Sequence, residues 1–308
     1  MAEFFTVWIA ATPASATPYI LAALGLIIQE RSGVLTLGAE GLMLLGAVCG
    51  IGFSLSIVQD PYLALAAAMA SASAMSILFA MMVVYLRINQ VIAGLAIVFL
   101  CQGLSSLLGT VFGWSSRAIL GPASFEILSG IPFVSQILNQ DPIVYLSVAL
   151  SVGLYMFLNR TLAGLKLRAV GESPETADSA GFNVTRIRLC AIVVGSALIG
   201  LAGAYLSVFS SKIFVDGMTG GRGWIAIALV IFARWNPLWA LIGAFLFGGI
   251  EAAIPQIAAA GVQVPQYIIL MAPYAATLAV MIWIAVQGKL GDSEPGALGK
   301  PYVREARG

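Results

Sequence analysis

PYLALAAAMASASAMSILFAMMVVYL, residues 61–86, runs its whole length without a charge. About 20 consecutive apolar residues are what an α-helix needs to cross a bilayer, and this stretch holds small and branched apolar residues where a soluble protein would place polar ones. Comparable uncharged runs occupy 4–29, 41–59, 88–116, 142–159, 189–211 and 252–288. Of the 308 residues, 60% are hydrophobic and 9% charged, with a mean hydropathy of +0.98; a soluble domain carries roughly 25% charged residues. In lipid each segment must satisfy its own backbone, so the expectation is an all-α polytopic membrane protein, a bundle of about 8–10 transmembrane helices. The period-2 alternation of a membrane barrel is missing.

Several function classes drop out at this stage. The chain has no His, which removes most hydrolytic triads, zinc sites and haem sites. It has no G-x-x-x-x-G-K-[ST] loop, so it is not expected to hydrolyse a nucleotide itself. Cys49, Cys101 and Cys190 stand singly in apolar stretches and fit small core residues better than metal or redox sites. No metal or other cofactor is expected. The start, MAEFFTVW, lacks a basic region before its apolar run, so that run is expected to remain as a helix and not to be cleaved as a signal.

Nine crossings fit the pattern, at about 6–28, 33–58, 62–86, 91–112, 142–158, 189–210, 217–233, 238–259 and 266–286. The excess of Lys and Arg in short cytoplasmic loops sets their orientation. With the N-terminus outside, Arg31, Arg87, Arg160, Lys166, Arg168, Arg186, Arg188, Arg234, Lys289, Lys300, Arg304 and Arg307 face the cytoplasm, and Arg117, Lys212 and Arg222 face out. The seventh crossing is short and interrupted by Gly217, Gly220, Gly221 and Gly223, which also suits a re-entrant half-helix. The domain organisation expected is one transmembrane permease domain, 1–288, with a cytoplasmic loop at 159–188 and a cytoplasmic tail at 289–308. The external connection 117–141 contains two prolines and fits either a docking surface or a short interfacial helix.

Within the loop lies GESPETADSAGFN, residues 171–183. Ser173 is a good N-cap, Pro174 fits the first helical position, Glu175 suits the positive end of the dipole and Gly181 supplies a left-handed stop. These signals predict a helix of about seven residues, roughly 10 Å long. So short a piece is not stable alone in water and needs something to hold it. Ala177 and Ala180 are small enough for close approach to a partner, and Glu175 and Asp178 offer charges. An ordinary loop helix resting on the bundle is the plainer alternative.

The stretch GESPETADSAGFNVTRIRL resembles the coupling loop of permease subunits of ABC importers, in the branch that carries simple sugars, nucleosides and branched-chain amino acids. Gly171, Glu172, Pro174, Ala177, Ala180, Gly181 and Asn183 match the usual pattern, while Thr176 and Asp178 depart from it. The resemblance implies a type II-like importer permease whose helix, formed by Glu172, Ser173, Pro174, Glu175, Ala177, Asp178, Ala180 and Gly181, docks on a separate ABC ATPase subunit. Residues 30–47, ERSGVLTLGAEGLMLLGA, resemble the nucleoside-type pattern, with Thr36 and Leu42 standing where Asn and Gln are common. LRINQVIAGLAI at 86–97, IFARWNPLWALIGAFLFG at 231–248 and ALGKPYVRE at 297–305 are similar to the same subfamily. The resemblance further implies a second permease subunit of different sequence, an extracytoplasmic substrate-binding protein, a nucleoside substrate of the purine kind, alternating access, and a place in a bacterial plasma membrane. Ribose or another simple sugar, or a branched-chain amino acid, is the alternative cargo.

Among the polar residues inside the runs, Glu40 lies roughly 12 Å into the second crossing if helical, where an ionisable side chain is costly and faces the bundle interior or a cavity. Gly41, with Gly38 and Gly46, permits close packing or a broken helix there. Glu40 is either a structural anchor to a neighbouring helix or part of the translocation pathway. Asn89 and Gln90 fit a helix cap or the pathway, and Gln102, with Ser105 and Ser106, fits either a cavity or glue between helices. Glu251 suits a solvated mouth or an interhelical partner, and Trp235 and Tyr267 suit belt anchors. A secondary transporter in which Glu40 and Glu251 act as intramembrane acids is the competing class; a membrane enzyme is more distant, for want of a catalytic cluster.

Overall fold

The computed structural model describes residues 2–57, 59–115, 139–259 and 294–302, with positions 271, 275, 278, 279, 282 and 286. Most of the ninth crossing, Tyr267 and most of the 117–141 connection lie outside the described residues. Among the described residues seven helices are long and apolar enough to cross a membrane, and the chain is an all-α polytopic membrane protein. They are α1 (Ala2–Glu30), α2 (Ala39–Ser56), α3 (Pro61–Ala80, extended by a π-helical turn Met81–Tyr85), α4 (Gln90–Val111), α5 (Pro142–Arg160), α8 (Val184–Ala204, extended by a π-helical turn Tyr205–Ser210) and α10 (Pro237–Ala259). Between them lie α6 (Leu162–Glu172), α7 (Pro174–Ser179) and α9 (Arg222–Phe232).

The starts follow local chemistry. Asp60 caps α3 by accepting from the Tyr62 and Leu63 amides, with Pro61 at the first position, and Asn89 caps α4 through the Val91 and Ile92 amides. Within α1, which contains Pro13 and Pro18, the Thr12 and Thr17 hydroxyls donate to the Trp8 and Pro13 carbonyls at 2.8 and 2.9 Å, so both hydroxyls are satisfied inside the helix.

The centre of the bundle is α1, α2 and α8, the most enclosed of the spans, with α3 packed on α2 and α8, and α10 on α1. Lipid tails give helices no hydrophobic reason to associate, so close backbone approach supplies the attraction. Gly25 and Gly195 face each other across α1 and α8, and a Cβ on either would overlap the other's carbonyl. Across α2 and α8, a Cβ on Gly46 would strike the Gly200 backbone and one on Gly203 the Met43 carbonyl. One face of Gly200 also meets Ala68 and Ala72 of α3.

Two of the expected crossings are shortened, the second against expectation and the seventh in line with the half-helix alternative. Residues 34–37 belong to no regular element and α2 begins only at Ala39, because Gly33 turns the chain with φ +84° after α1 and Glu40 holds the helix start at depth. The expected seventh crossing, 217–233, is a turn over 216–221 followed by the 11-residue α9. At roughly 16 Å, α9 covers half of the ~30 Å hydrocarbon core, as a half-helix does. Arg222 therefore sits at a helix start inside the bundle and not in an outer loop, so it does not count toward the loop-charge bias. The sixth crossing starts earlier than expected, at Val184, which places Arg186 and Arg188 within α8.

Candidate translocation and coupling sites

Depth in the bundle is set by neighbours. At one end, the Leu35 amide donates to Gln90 Oε1 at 2.6 Å and Arg31 donates to the Trp235 carbonyl, so the end of α1 and the starts of α4 and α10 are level. Gly41 packs on Val98 and Cys101 of α4, roughly 12–16 Å along α4 from Gln90. Glu40 is therefore near mid-membrane even though the chain reaches it without a preceding helical turn.

There Glu40, 8% exposed, stands in the first turn of α2 and accepts three bonds from the start of α9: the Thr219 hydroxyl at 2.5 Å, the Gly221 amide at 2.9 Å and the Gly223 amide at 2.7 Å. Gly223 is required, because a Cβ there would overlap the Glu40 backbone. One carboxylate thus faces the positive ends of two helix dipoles and satisfies amides that a helix start leaves unpaired. Next in line, Arg222 donates to the Met218 and Thr219 carbonyls and pairs with Glu251 of α10, whose other oxygen accepts from the Tyr19 hydroxyl at 2.8 Å. Arg222 and Glu251 each keep 23% of their side-chain surface exposed. An ion pair that remains exposed at this depth faces a water-filled space or a polar partner, since lipid would not solvate it.

The structure brings Glu40 and Glu251 into one polar row through Arg222 and its turn, while Gly41 packs against Val98 and Cys101 of α4. It keeps Asn89 apart, exposed and occupied in capping α4. Gln90 is 3% exposed and tied to Leu35, and Gln102 is exposed on the outward side of α4. Sequence reasoning missed Thr219, Arg222 and Tyr19. The signal for Arg222 was available: a lone arginine among four glycines, in a chain with an unexplained intramembrane acid.

Below this row lies the 171–183 stretch. Ser173 Oγ accepts from the Thr176 amide, α7 spans Pro174–Ser179, and Gly181 adopts φ +85°. Glu172, Glu175, Ala180 and Gly181 are exposed, Ser173 and Asp178 half-buried, and Pro174 buried. Ala177 departs from expectation: it is 3% exposed and packs with Val170 and Val184 of its own chain, because a helix this short needs one face held by the bundle. The unit is fixed upward at Gly171, where a Cβ would overlap the Arg31 carbonyl. Burial, with Arg168 nearby, pulls the Arg31 guanidinium below its ordinary pKa, and Glu172 opposes this.

Nothing lies within 4 Å of a Cβ built on Gly181, so only its backbone geometry constrains the choice. Gly181→Val is expected to cost about 1–2 kcal/mol in the left-handed region and to raise hydrogen exchange of the Ala177–Phe182 amides roughly tenfold, while Gly181→Asn leaves exchange nearly unchanged.

Residues 9–286 match the family model described as branched-chain amino acid transport system, permease component. The chain belongs to this permease family. It is 36% identical to a chain of Haloferax volcanii provisionally named glucose ABC transporter permease protein TsgC13, over 96% of this chain and 97% of that one. It is 31% identical to the guanosine ABC transporter permease protein NupQ of Bacillus subtilis, over 99% of each. It is 28% identical to the nucleoside ABC transporter permease protein NupC of Lactococcus lactis, over 86% of this chain and 88% of that one. No solved structure matches the permease. The permease is a multi-pass transport subunit and not itself an enzyme.

Proposed function

We propose that this permease moves a nucleoside, of the purine kind, across the plasma membrane by alternating access, driven by ATP hydrolysed on a separate ATPase subunit. The observation that carries the cargo is the end-to-end similarity to a chain named for guanosine, supported by the 30–47 stretch and its resemblance to nucleoside-type permeases. An extracytoplasmic binding protein delivers the substrate and a second permease subunit of different sequence completes the pathway. The exposed Arg222–Glu251 pair, with Glu40 behind it, supports a pathway along that row. Exposed Glu172, Glu175, Ala180 and Gly181 support ATPase docking on the α7 side, and on this reading that end and the C-terminal tail face the cytoplasm. Glucose or another simple sugar is the second reading, favoured by the Haloferax relative.

Uptake of labelled guanosine in cells with and without this chain decides between them. Uptake that disappears with the chain, and is competed by nucleosides but not by glucose, ribose or leucine, is the expected result. Chain-dependent uptake of glucose with no effect on guanosine would put the sugar reading in its place, and dependence on an ion gradient without ATP would remove both.

A further inference from the structure

A cavity of about 490 Å³ opens beside α7 at the end of the bundle that carries the 171–183 stretch, between the last turn of α3 and the start of α8. Arg87, Arg186 and Arg188 line it, with Asp178 its one carboxylate and Tyr302 of the tail at its edge. Arg188 is 3% exposed. Its Nε donates to the Ser32 carbonyl and its Nη1 to the Lys300 carbonyl, and its Nη2 has no partner among the described residues. Both acceptors are neutral, so among the described residues no carboxylate is bonded to this buried charge. Such a charge is costly unless an anion lies close.

Other features of the wall favour an anion. Arg87 and Arg186 are exposed and show no ion pair among the described residues. Arg87 holds φ +57° just past the end of the third span, the left-handed position at which a helix commonly closes. The start of α8, a 21-residue helix, adds the positive end of its dipole. Next to Arg87, Leu86 and Ile88 are exposed at 67% and 39%, and Tyr85 at 59%, so apolar and aromatic surface adjoins the basic cavity at the level where two spans end.

We propose that this cavity binds the phosphate headgroup of an anionic phospholipid, with the acyl chains lying over Leu86 and Ile88. A basic pocket between spanning helices at the membrane surface suits such a headgroup, and the bordering apolar side chains favour a lipid over free phosphate. Because Asp178 and Gly181 also line the cavity, the bound lipid touches the α7 unit. The site depends neither on the identity of the cargo nor on which side of the membrane it faces, because both leaflets of a nanodisc are alike.

The test uses full-length protein purified from membranes with its bound partners and placed in nanodiscs of phosphatidylcholine, with or without phosphatidylglycerol. Phosphatidylglycerol is expected to be retained in native mass spectra and to raise the apparent Tm. In R87Q/R186Q, retention is expected to fall about thirtyfold, some fivefold per arginine, the ratio for ~1 kcal/mol per basic side chain near an anionic surface. R160Q, which changes an exposed arginine of α5 outside the cavity, is the control. Equal Tm values for the wild type and the double variant in pure phosphatidylcholine would show that the fold is intact. Equal retention of the two lipids, or an equal loss in R160Q, would overturn the proposal. Protection by inorganic phosphate as strong as that by phosphatidylglycerol would overturn the lipid assignment in favour of a free anion.

Discussion

Replacing Glu40 by Gln is expected to abolish transport and to lower the yield of folded chain in the membrane. The amide has the size of the carboxylate, but its NH₂ is a donor facing the Thr219 hydroxyl and the Gly221 and Gly223 amides, all donors to Glu40 in the native protein. Hydrogen bonds to a charged group contribute about 1.5–3 kcal/mol each. With its carbonyl in the place that takes the Thr219 and Gly221 bonds, the amide still turns its NH₂ on the Gly223 N–H; losing that one bond costs about 1.5–3 kcal/mol, a factor of roughly 10–100 in the equilibrium that holds α9 against α2. Thermal unfolding in detergent and uptake per folded molecule measure the two effects separately. Gln102→Leu removes an exposed amide of α4 that makes no such contact, and its unfolding curve should overlay the wild type. A Glu40→Gln protein that folds and transports normally would show that the junction of α2 and α9 does not depend on this charge.

Gly171→Ala is expected to leave the spans intact and to disconnect the α7 unit from them. A methyl group at this position cannot coexist with the Arg31 carbonyl, and the same residue's own carbonyl accepts from the Ala297 amide at 2.9 Å. Backbone is not the flexible end of a side chain, so α6 must move away from α1 and the tail together. Overpacking of this sort costs about 1–3 kcal/mol. The predicted phenotype is a normal amount of protein in the membrane, ATP hydrolysis that continues, and uptake reduced more than about tenfold. Loss of hydrolysis and uptake in equal proportion would indicate failed assembly instead.

Much of this architecture is legible in the sequence because its signals are local. Uncharged run length announces the spans, and Ser173, Pro174 and Gly181 announce α7 within a residue or two. What stayed hidden depends on partners far along the chain. That 34–37 is not helical cannot be seen from its own residues, since what anchors Glu40 lies at 219–223. Arg222 read as a loop cation because only the fold brings Glu251 to it. The tail read as a free extension, yet Ala297 is 5% exposed and bonded to Gly171, and Lys300 accepts from Arg188. Those contacts join segments more than a hundred residues apart, and no periodicity records them.

The glycine contacts among α1, α2, α3 and α8 bear on how such a protein changes shape. Helices that meet through side chains can slide, exchanging one set of rotamers for another. Where one backbone rests directly on another, as at Gly25 with Gly195 and Gly46 with Gly200, there is no such layer to rearrange, and any shear must break every contact together. These four helices are therefore expected to move together, and the same kind of seat extends to α9, where Gly223 rests on the Glu40 backbone, and to α10, where Gly248 rests on Ala16 of α1. A push applied at the α7 unit would reach the far side of such a bundle with little lost to slippage between helices.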